Sequence, residues 1–320
     1  MTFPNLRSIQ LAHRRTVDHT VRSRLILSRR LSLETGADVF LKLETDQPTG
    51  SFKVRGASNA VLAMLEQKAV PGVTTASTGN HARAVAYVGH RLGIAVQAFV
   101  SRHVSDVRVR ALEAAGAKVD RSSVDQSAAI AAASSFADEH DYGFVAPFDH
   151  PDVISGQGTI GLELCEDLDR LDAVIVPVSG GGLVSGIGLA LKALRPAVQV
   201  IGIGAELAPA MHESLSAGRP VATPEVATVA ESLMGDLGPD NRFTFQIARQ
   251  VIDEIHSVSE YSIIAAMKTL RDEDGLVVEG AGAVAAAYLA SNNSRWRGAR
   301  VALLLTGNAG AETVPTSRGN

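Results

Sequence analysis

Along most of the 320-residue chain, short apolar runs give way to a glycine-rich or polar turn and then to a stretch of helical period. Asp38–Leu43, Gly72–Ala76, Ala95–Val100, Lys118–Ser122, Gly143–Ala146, Ala173–Pro177, Val198–Ile203 and Arg300–Leu305 read as strands. Between them, Lys53 to about Gln67, Asn80–Leu92, Ser105–Ala115, Asp125–Glu139, Gln157–Leu168, Leu183–Leu194 and Pro209–Ala217 read as helices. Three more are expected near Asn241–Gln250, Glu260–Asp274 and Ala281–Ser291. Strands that alternate with helices form parallel sheets covered on both faces, so the fold class is α/β. Ligands on such sheets bind at the carboxyl ends of strands, where strand order reverses. Breaks near Lys68–Gly72 and Pro147–Pro151 divide the chain into residues 1–70 plus 150–320 and an inserted α/β domain of residues 71–149.

Composition narrows the function classes. Net charge is −4 and aromatic residues make up 4%, so neither a basic footprint nor a stacking platform for nucleic acid is present. The single cysteine, Cys165, excludes an internal disulfide and fits a reducing compartment such as the cytoplasm. The first seventeen residues hold no apolar core of signal-peptide length. Ala173–Leu191 is uncharged over 19 residues, but Pro177 and five glycines break it into strand, loop and helix rather than a membrane span.

Chemistry concentrates at four turns. Lys53, in Ser51-Phe52-Lys53-Val54-Arg55-Gly56-Ala57, opens the apolar stretch Ala57–Leu65. Desolvation there lowers an ammonium pKa toward an amine that forms Schiff bases with aldehydes; the bland reading is a solvated helix start. Ser179-Gly180-Gly181-Gly182-Leu183 lies between a strand and a helix. Its backbone N–H groups can converge on a phosphate, and three glycines exceed what a plain turn needs. Ser77-Thr78-Gly79-Asn80-His81-Ala82 groups hydroxyls and an amide at another helix start, a seat for a carboxylate, with ordinary capping as the alternative. Thr306-Gly307-Asn308 follows the last strand, and Glu279-Gly280-Ala281-Gly282 brings small residues, behind a possible capping acid, to another helix start. Gly180, Gly182 and Gly186, with Glu206 after the next strand, also approximate a dinucleotide fingerprint. A nicotinamide-linked oxidoreductase is therefore an alternative, one that leaves Lys53 unexplained. A catalytically silent binding protein of the same fold is another.

Taken in order, the lysine motif, Ser77–His81, Gly156-Gln157-Gly158-Thr159 and Gly180–Leu183 resemble the fold-type II pyridoxal-phosphate enzymes, specifically the serine/threonine dehydratase and serine racemase family. The resemblance runs from about Arg15 to Asn308 and implies a two-domain α/β fold, a cofactor between the domains and a homodimer. It further implies that Lys53 carries pyridoxal 5′-phosphate as a Schiff base beside Phe52, and that Asn80 bonds the ring oxygen. Gly180, Gly181, Gly182 and Leu183 would hold the phosphate, and Thr306 would meet the pyridine nitrogen. Ser77, Thr78, Asn80 and His81 would hold the carboxylate of an amino-acid substrate. The implied reaction is β-elimination from a β-hydroxy amino acid, giving a 2-oxo acid and ammonia.

Departures from the family pattern refine this expectation. Racemases use a serine as second acid/base where Thr78 stands, so racemisation is the less favoured outcome. Arg83 replaces the usual glutamine and, together with Glu231-Ser232-Leu233 and Asp240–Phe245, is similar to the hydroxyectoine-utilisation dehydratase branch. In that role Arg83 would meet a substrate's side-chain carboxylate; its alternative is a solvated helix residue. The family's cation site would keep Glu206 but places His212 where a second acid belongs, which removes a hard oxygen ligand. Activity is accordingly expected to survive a chelator without restoration by Mg²⁺. Abolition by the chelator and recovery on adding Mg²⁺ would contradict this.

Overall fold

The computed structural model describes residues 2–77, 79–238 and 240–308. Helix α1 (Leu6–Thr16) leads to β1 (Leu25–Leu27), α2 (Arg29–Thr35), β2 (Asp38–Leu43) and α3 (Lys53–Gln67). Then follow β3 (Gly72–Ala76), α4 (Asn80–Leu92), β4 (Ala95–Ser101), α5 (Asp106–Ala114), β5 (Lys118–Ser123), α6 (Gln126–His140) and β6 (Gly143–Phe144). The second half runs α7 (Pro151–Asp167), β7 (Ala173–Pro177), α8 (Gly182–Leu194), β8 (Gln199–Ala205), α9 (Ala210–Ala217) and α10 (Thr244–Val251). It closes with β9 (Glu254–Val258), α11 (Glu260–Asp272), α12 (Gly280–Ser291) and β10 (Arg300–Leu305).

These strands form two sheets. One has the order β1-β2-β10-β7-β8-β9, the other β5-β4-β3-β6. All neighbours run parallel except the antiparallel pair of β1 with β2. Alternation along the strands of the larger sheet separates two apolar layers. Val39, Leu41, Ile175, Ile201, Leu303 and Leu305 join one layer, whereas Val174, Val176, Val200, Ala302 and Leu304 join the other. Both faces are thus buried, which is why these strands read as continuous apolar runs.

Register decides where the loops emerge. Leu305 lies opposite Leu43 and Leu303 opposite Ile175, so the carboxyl ends of β2, β10 and β7 open side by side. Beneath them, α7 and α8 approach at glycines: a Cβ on Gly186 would stand 2.3 Å from the Ile154 carbonyl oxygen and 2.5 Å from the Gly158 nitrogen. Similarly, a Cβ on Gly156 would stand 2.5 Å from the Arg55 carbonyl oxygen, so Gly156 lets α7 lie directly against α3. The Gly156–Thr159 motif therefore serves packing.

A buried ion network fixes the start of α3. The Arg55 guanidinium donates to Glu44 at 2.8 and 2.9 Å and to Glu163 at 2.6 and 3.0 Å. It also donates to the Thr159 hydroxyl at 3.0 Å. The Lys42 ammonium lies 2.7 Å from Glu163 and donates to the Ser23 carbonyl oxygen at 2.8 Å, while the Ser23 hydroxyl donates to Glu44 at 2.6 Å. Arg55 and Lys42 meet Glu44 and Glu163 here, with Asp167 3.4 Å from Lys42, so the charges are compensated by protein groups.

Four elements were not expected from the sequence: α1, β1, α2 and β9. Helix α7 also begins six residues earlier than expected, with His150 as its N-cap and Pro151 in its first turn. The Ala173–Leu191 stretch divides into β7, a loop and α8, and no helix among the described residues is long and apolar enough to cross a membrane.

Replacing Arg55 by methionine would leave Glu44 and Glu163 without their shared cation. Equilibrium urea unfolding of Arg55→Met is expected to show a loss of about 3–5 kcal/mol. A loss under about 1 kcal/mol would show that the network is dispensable.

Candidate active site

The four turns singled out in the sequence come together around Lys53. Its ammonium donates to the Pro147 carbonyl oxygen at 2.8 Å and lies 5.3 Å from the centre of the Phe52 ring. Phe148, the next residue, packs against the glycine loop: a Cβ on Gly180 would meet its ring at 2.6 Å, and one on Gly182 would meet its carbonyl oxygen at 3.1 Å. On the other side, the Phe52 N–H donates to the Thr306 carbonyl oxygen at 3.1 Å, and Ser51 bridges to Gly307. The Glu279 N–H donates to the Gly307 carbonyl oxygen at 3.0 Å, and the Asn80 amide donates to the Glu279 carboxylate at 2.8 Å. Ends of strands from both sheets therefore converge on one amine.

Lys53 retains a little accessible surface, yet protein surrounds it densely. Desolvation lowers its pKa to about 8, against a smaller opposing pull from the Glu279 charge. Its hydrogen-bond partner is a neutral carbonyl, so no ion pair locks it in the charged form. The solvated-helix-start reading of Lys53 is thereby excluded.

Two of the helices that start at this site on a glycine, α8 and α4, have no side-chain cap. Helix α8 starts at Gly181, whose φ of 85° lies in the left-handed region, and no side chain caps it. A Cβ there would also stand 2.5 Å from Met211 Cε. Helix α4 starts at Gly79, again with no side-chain cap. Ser77 accepts the Gly79 N–H at 3.4 Å and so does not cap the helix. Orphan N–H groups at a helix start, with the axial dipole behind them, favour anions. Gly180–Leu183 thus fits a phosphate, and the first turn of α4 fits a carboxylate. Both fit pyridoxal phosphate bound at Lys53 with an amino acid beside it, and Thr306 is buried at the adjacent strand end.

Other candidates are placed less as foreseen. The His81 Nε2–H donates to the Val145 carbonyl oxygen at 3.1 Å, and burial, reinforced by the Lys53 charge, pushes the imidazole pKa down to about 3. The ring is therefore neutral, and what His81 offers an anion is its backbone N–H. Arg83 is not a solvated residue. Its guanidinium donates to the Asn80 side-chain oxygen, its Nε is buried without a protein partner, and desolvation lowers its pKa. Thr78 lies outside the described residues. Glu206 follows β8 and lines a separate groove of about 250 Å³ with His256 and Tyr288. Among the described residues, no group of three or more His, Cys, Asp or Glu is placed to hold a metal ion.

Sequence reasoning passed over three contributors: Pro147, Phe148 and the pairing of Glu279 with Ser232. The Ser232 hydroxyl donates to Glu279 at 3.1 Å. Glu279 does not cap α12; its carboxylate faces Asn80 and Ser232 instead. The one available signal was an acid directly before the small-residue run Gly280–Gly282, where a packed helix start leaves it only partly exposed.

Comparison with known proteins gives the same chemistry. The family described as pyridoxal-phosphate dependent enzymes matches residues 17–307. A putative threonine dehydratase of Sinorhizobium fredii is 39% identical over 303 residues, covering 95% of this chain and 91% of that protein. An L-threonine ammonia-lyase of Thermotoga maritima is 37% identical over 306 residues, covering 94% of this chain and 75% of that protein. Among solved structures, maize serine racemase superposes with a TM-score of 0.90 at 30% identity, covering 96% of this chain and 94% of that one.

The lowered pKa makes Lys53 stand apart from exposed lysines. In the apoprotein, competitive acylation followed by peptide mass spectrometry is expected to give Lys53 half its maximal reactivity near pH 8, because only the neutral amine reacts. A midpoint above pH 10, as for an ordinary lysine, would refute the desolvated amine.

Proposed function

The chain belongs to the pyridoxal-phosphate-dependent enzyme family and is a lyase of the β-eliminating kind; we propose that its substrate is a β-hydroxy amino acid, released as a 2-oxo acid and ammonia. The observation that carries this reading is the desolvated Lys53 amine set between two uncapped helix starts. When bound, the cofactor supplies an electron sink for negative charge at the substrate Cα. The protein supplies the rest. The backbone N–H groups of Gly180, Gly181, Gly182 and Leu183 would hold the phosphate, Phe52 packs beside Lys53, and Asn80 would bond the ring oxygen. Ser77, Thr78, Asn80 and the first turn of α4, His81 included, hold the substrate carboxylate. The Lys53 amine, neutral in much of its population near pH 8, takes the Cα proton as general base. Thr306, buried at the end of β10, would meet the pyridine nitrogen with a neutral hydroxyl.

We assign Arg83 to the substrate's far end. Its buried, unpartnered Nε supports an anionic side chain, as in a hydroxyaspartate or a product of hydroxyectoine breakdown. The same reading places the enzyme in the cytoplasm as a homodimer. Residues 1–70 and 150–320 form the larger domain in this proposal, and residues 71–149 the inserted one.

Ammonia release should be assayed with serine, threonine, the hydroxyaspartates and hydroxyectoine breakdown products, with the enantiomers of unreacted substrate followed alongside. The acidic compounds are expected to have the highest kcat/KM. Arg83→Gln is expected to lower that value for hydroxyaspartate about tenfold or more relative to serine. An unchanged ranking would remove Arg83 from this role, and racemisation without ammonia would contradict the elimination.

A further inference from the structure

We propose that Glu279 is a positioning residue of this site, aligning Asn80 through one carboxylate oxygen while its charge faces the cations of Lys53 and Arg83. The inference rests on Lys53 being the cofactor-bearing amine. Three observations on different elements carry it. First, Glu279 stands at the N-cap of α12 but makes no side-chain cap there. Second, its two oxygens are divided: Oε1 accepts from the Asn80 amide at 2.8 Å, and Oε2 from the Ser232 hydroxyl at 3.1 Å. Third, Arg83 donates to the oxygen of the same Asn80 carboxamide. The Asn80 side chain is thus gripped at both ends, by a cation from its own helix and an anion from α12.

Such a grip has a chemical consequence. An asparagine amide can be flipped without steric cost, which exchanges donor for acceptor. With Arg83 on the oxygen and Glu279 on the nitrogen, only one orientation satisfies both. The geometry also places Glu279 where Gly307 is needed: a Cβ on Gly307 would stand 3.2 Å from Glu279 Oε1 and 2.9 Å from Ser51 Cβ. Thr306, Gly307 and Glu279 are therefore positioned as one unit. The charged groups facing Glu279 are Lys53 from α3 and Arg83 from α4, and Lys53 itself faces Glu279 and His81. Burial holds the Glu279 carboxyl above the usual carboxylate range, while Ser232, Asn80 and the two cations oppose the rise. In return, the Glu279 charge raises the pKa of the Lys53 ammonium against desolvation.

Glu279→Gln preserves shape and removes the charge. The test follows the pH midpoint of Lys53 acylation in the apoprotein and, separately, retention of pyridoxal phosphate. The midpoint is expected to fall by about one pH unit, as for loss of a nearby opposite charge. Cofactor retention is expected to weaken, because glutamine can present its own amide to Asn80 and the fixed orientation is lost. Ser232→Ala, at an exposed position in the short 3₁₀ turn Glu231–Leu233, serves if Glu279→Gln does not fold. Removing that hydrogen bond frees Oε2 and loosens the hold of the carboxylate on Asn80, so retention of pyridoxal phosphate is expected to weaken by a smaller amount. An unmoved midpoint in a folded Glu279→Gln protein overturns the proposal; if only Ser232→Ala folds, undiminished retention of pyridoxal phosphate there does so. A wild-type protein in which pyridoxal phosphate modifies some lysine other than Lys53 would instead overturn the underlying reading.

Discussion

The buried ion network around Arg55 sets the frame for the site. It joins the end of β2 through Glu44, the body of α7 through Glu163 and Thr159, and the loop before β1 through Ser23. Arg55 lies two residues after Lys53, in the first turn of α3. A helix start anchored by five charge-assisted or hydroxyl contacts has little freedom to rotate. Lys53 is consequently held against Phe52 and the Pro147 carbonyl. Ion networks buried this deeply contribute little net stability against an apolar alternative, but breaking one is costly. Their value here is geometric: the Lys53 amine is aimed by a structure that cannot relax one partner at a time.

The second constraint is the meeting of the two sheets. Parallel strands send every loop that matters to the carboxyl edge, and β10 inserts between β2 and β7. Thr306, Gly180 and the start of α3 are thereby brought together from three distant parts of the chain. The smaller sheet contributes its own carboxyl-end loops, Ser77–Asn80 after β3 and Val145–Phe148 after β6. The helices whose starts favour anions, α4 and α8, follow β3 and β7 at these carboxyl ends. Desolvation lowers the Lys53 pKa to about 8, so part of the amine is neutral near that pH.

Much of this was legible in the sequence. Strands buried on both faces announce themselves as apolar runs, and the glycine triplet, the Ser77–His81 segment and Thr306 each follow such a run. What escaped did so for physical reasons. Helix α1 is polar around most of its circumference, buries only Ile9, Ala12 and Thr16, and is capped by Asn5 with Ser8 in place of a glutamate. Strand β9 is a half-buried edge strand with a charge at its start, and β1 is three residues long. Helix α7 begins at a proline that reads equally well as a loop. For the site, the roles of single residues depended on contacts invisible in one dimension. The ring of His81 is spent on Val145, Arg83 is tied to Asn80, and Glu279 leaves its own helix uncapped.

The central claim is that one desolvated amine, Lys53, carries the chemistry. Reduction of the pyridoxal-phosphate-loaded protein with borohydride, followed by peptide mapping, tests it most directly. The account predicts one reduced pyridoxyl group per chain, on the peptide containing Lys53, and its loss in Lys53→Ala. Modification spread over exposed lysines, or undiminished in Lys53→Ala, would contradict it.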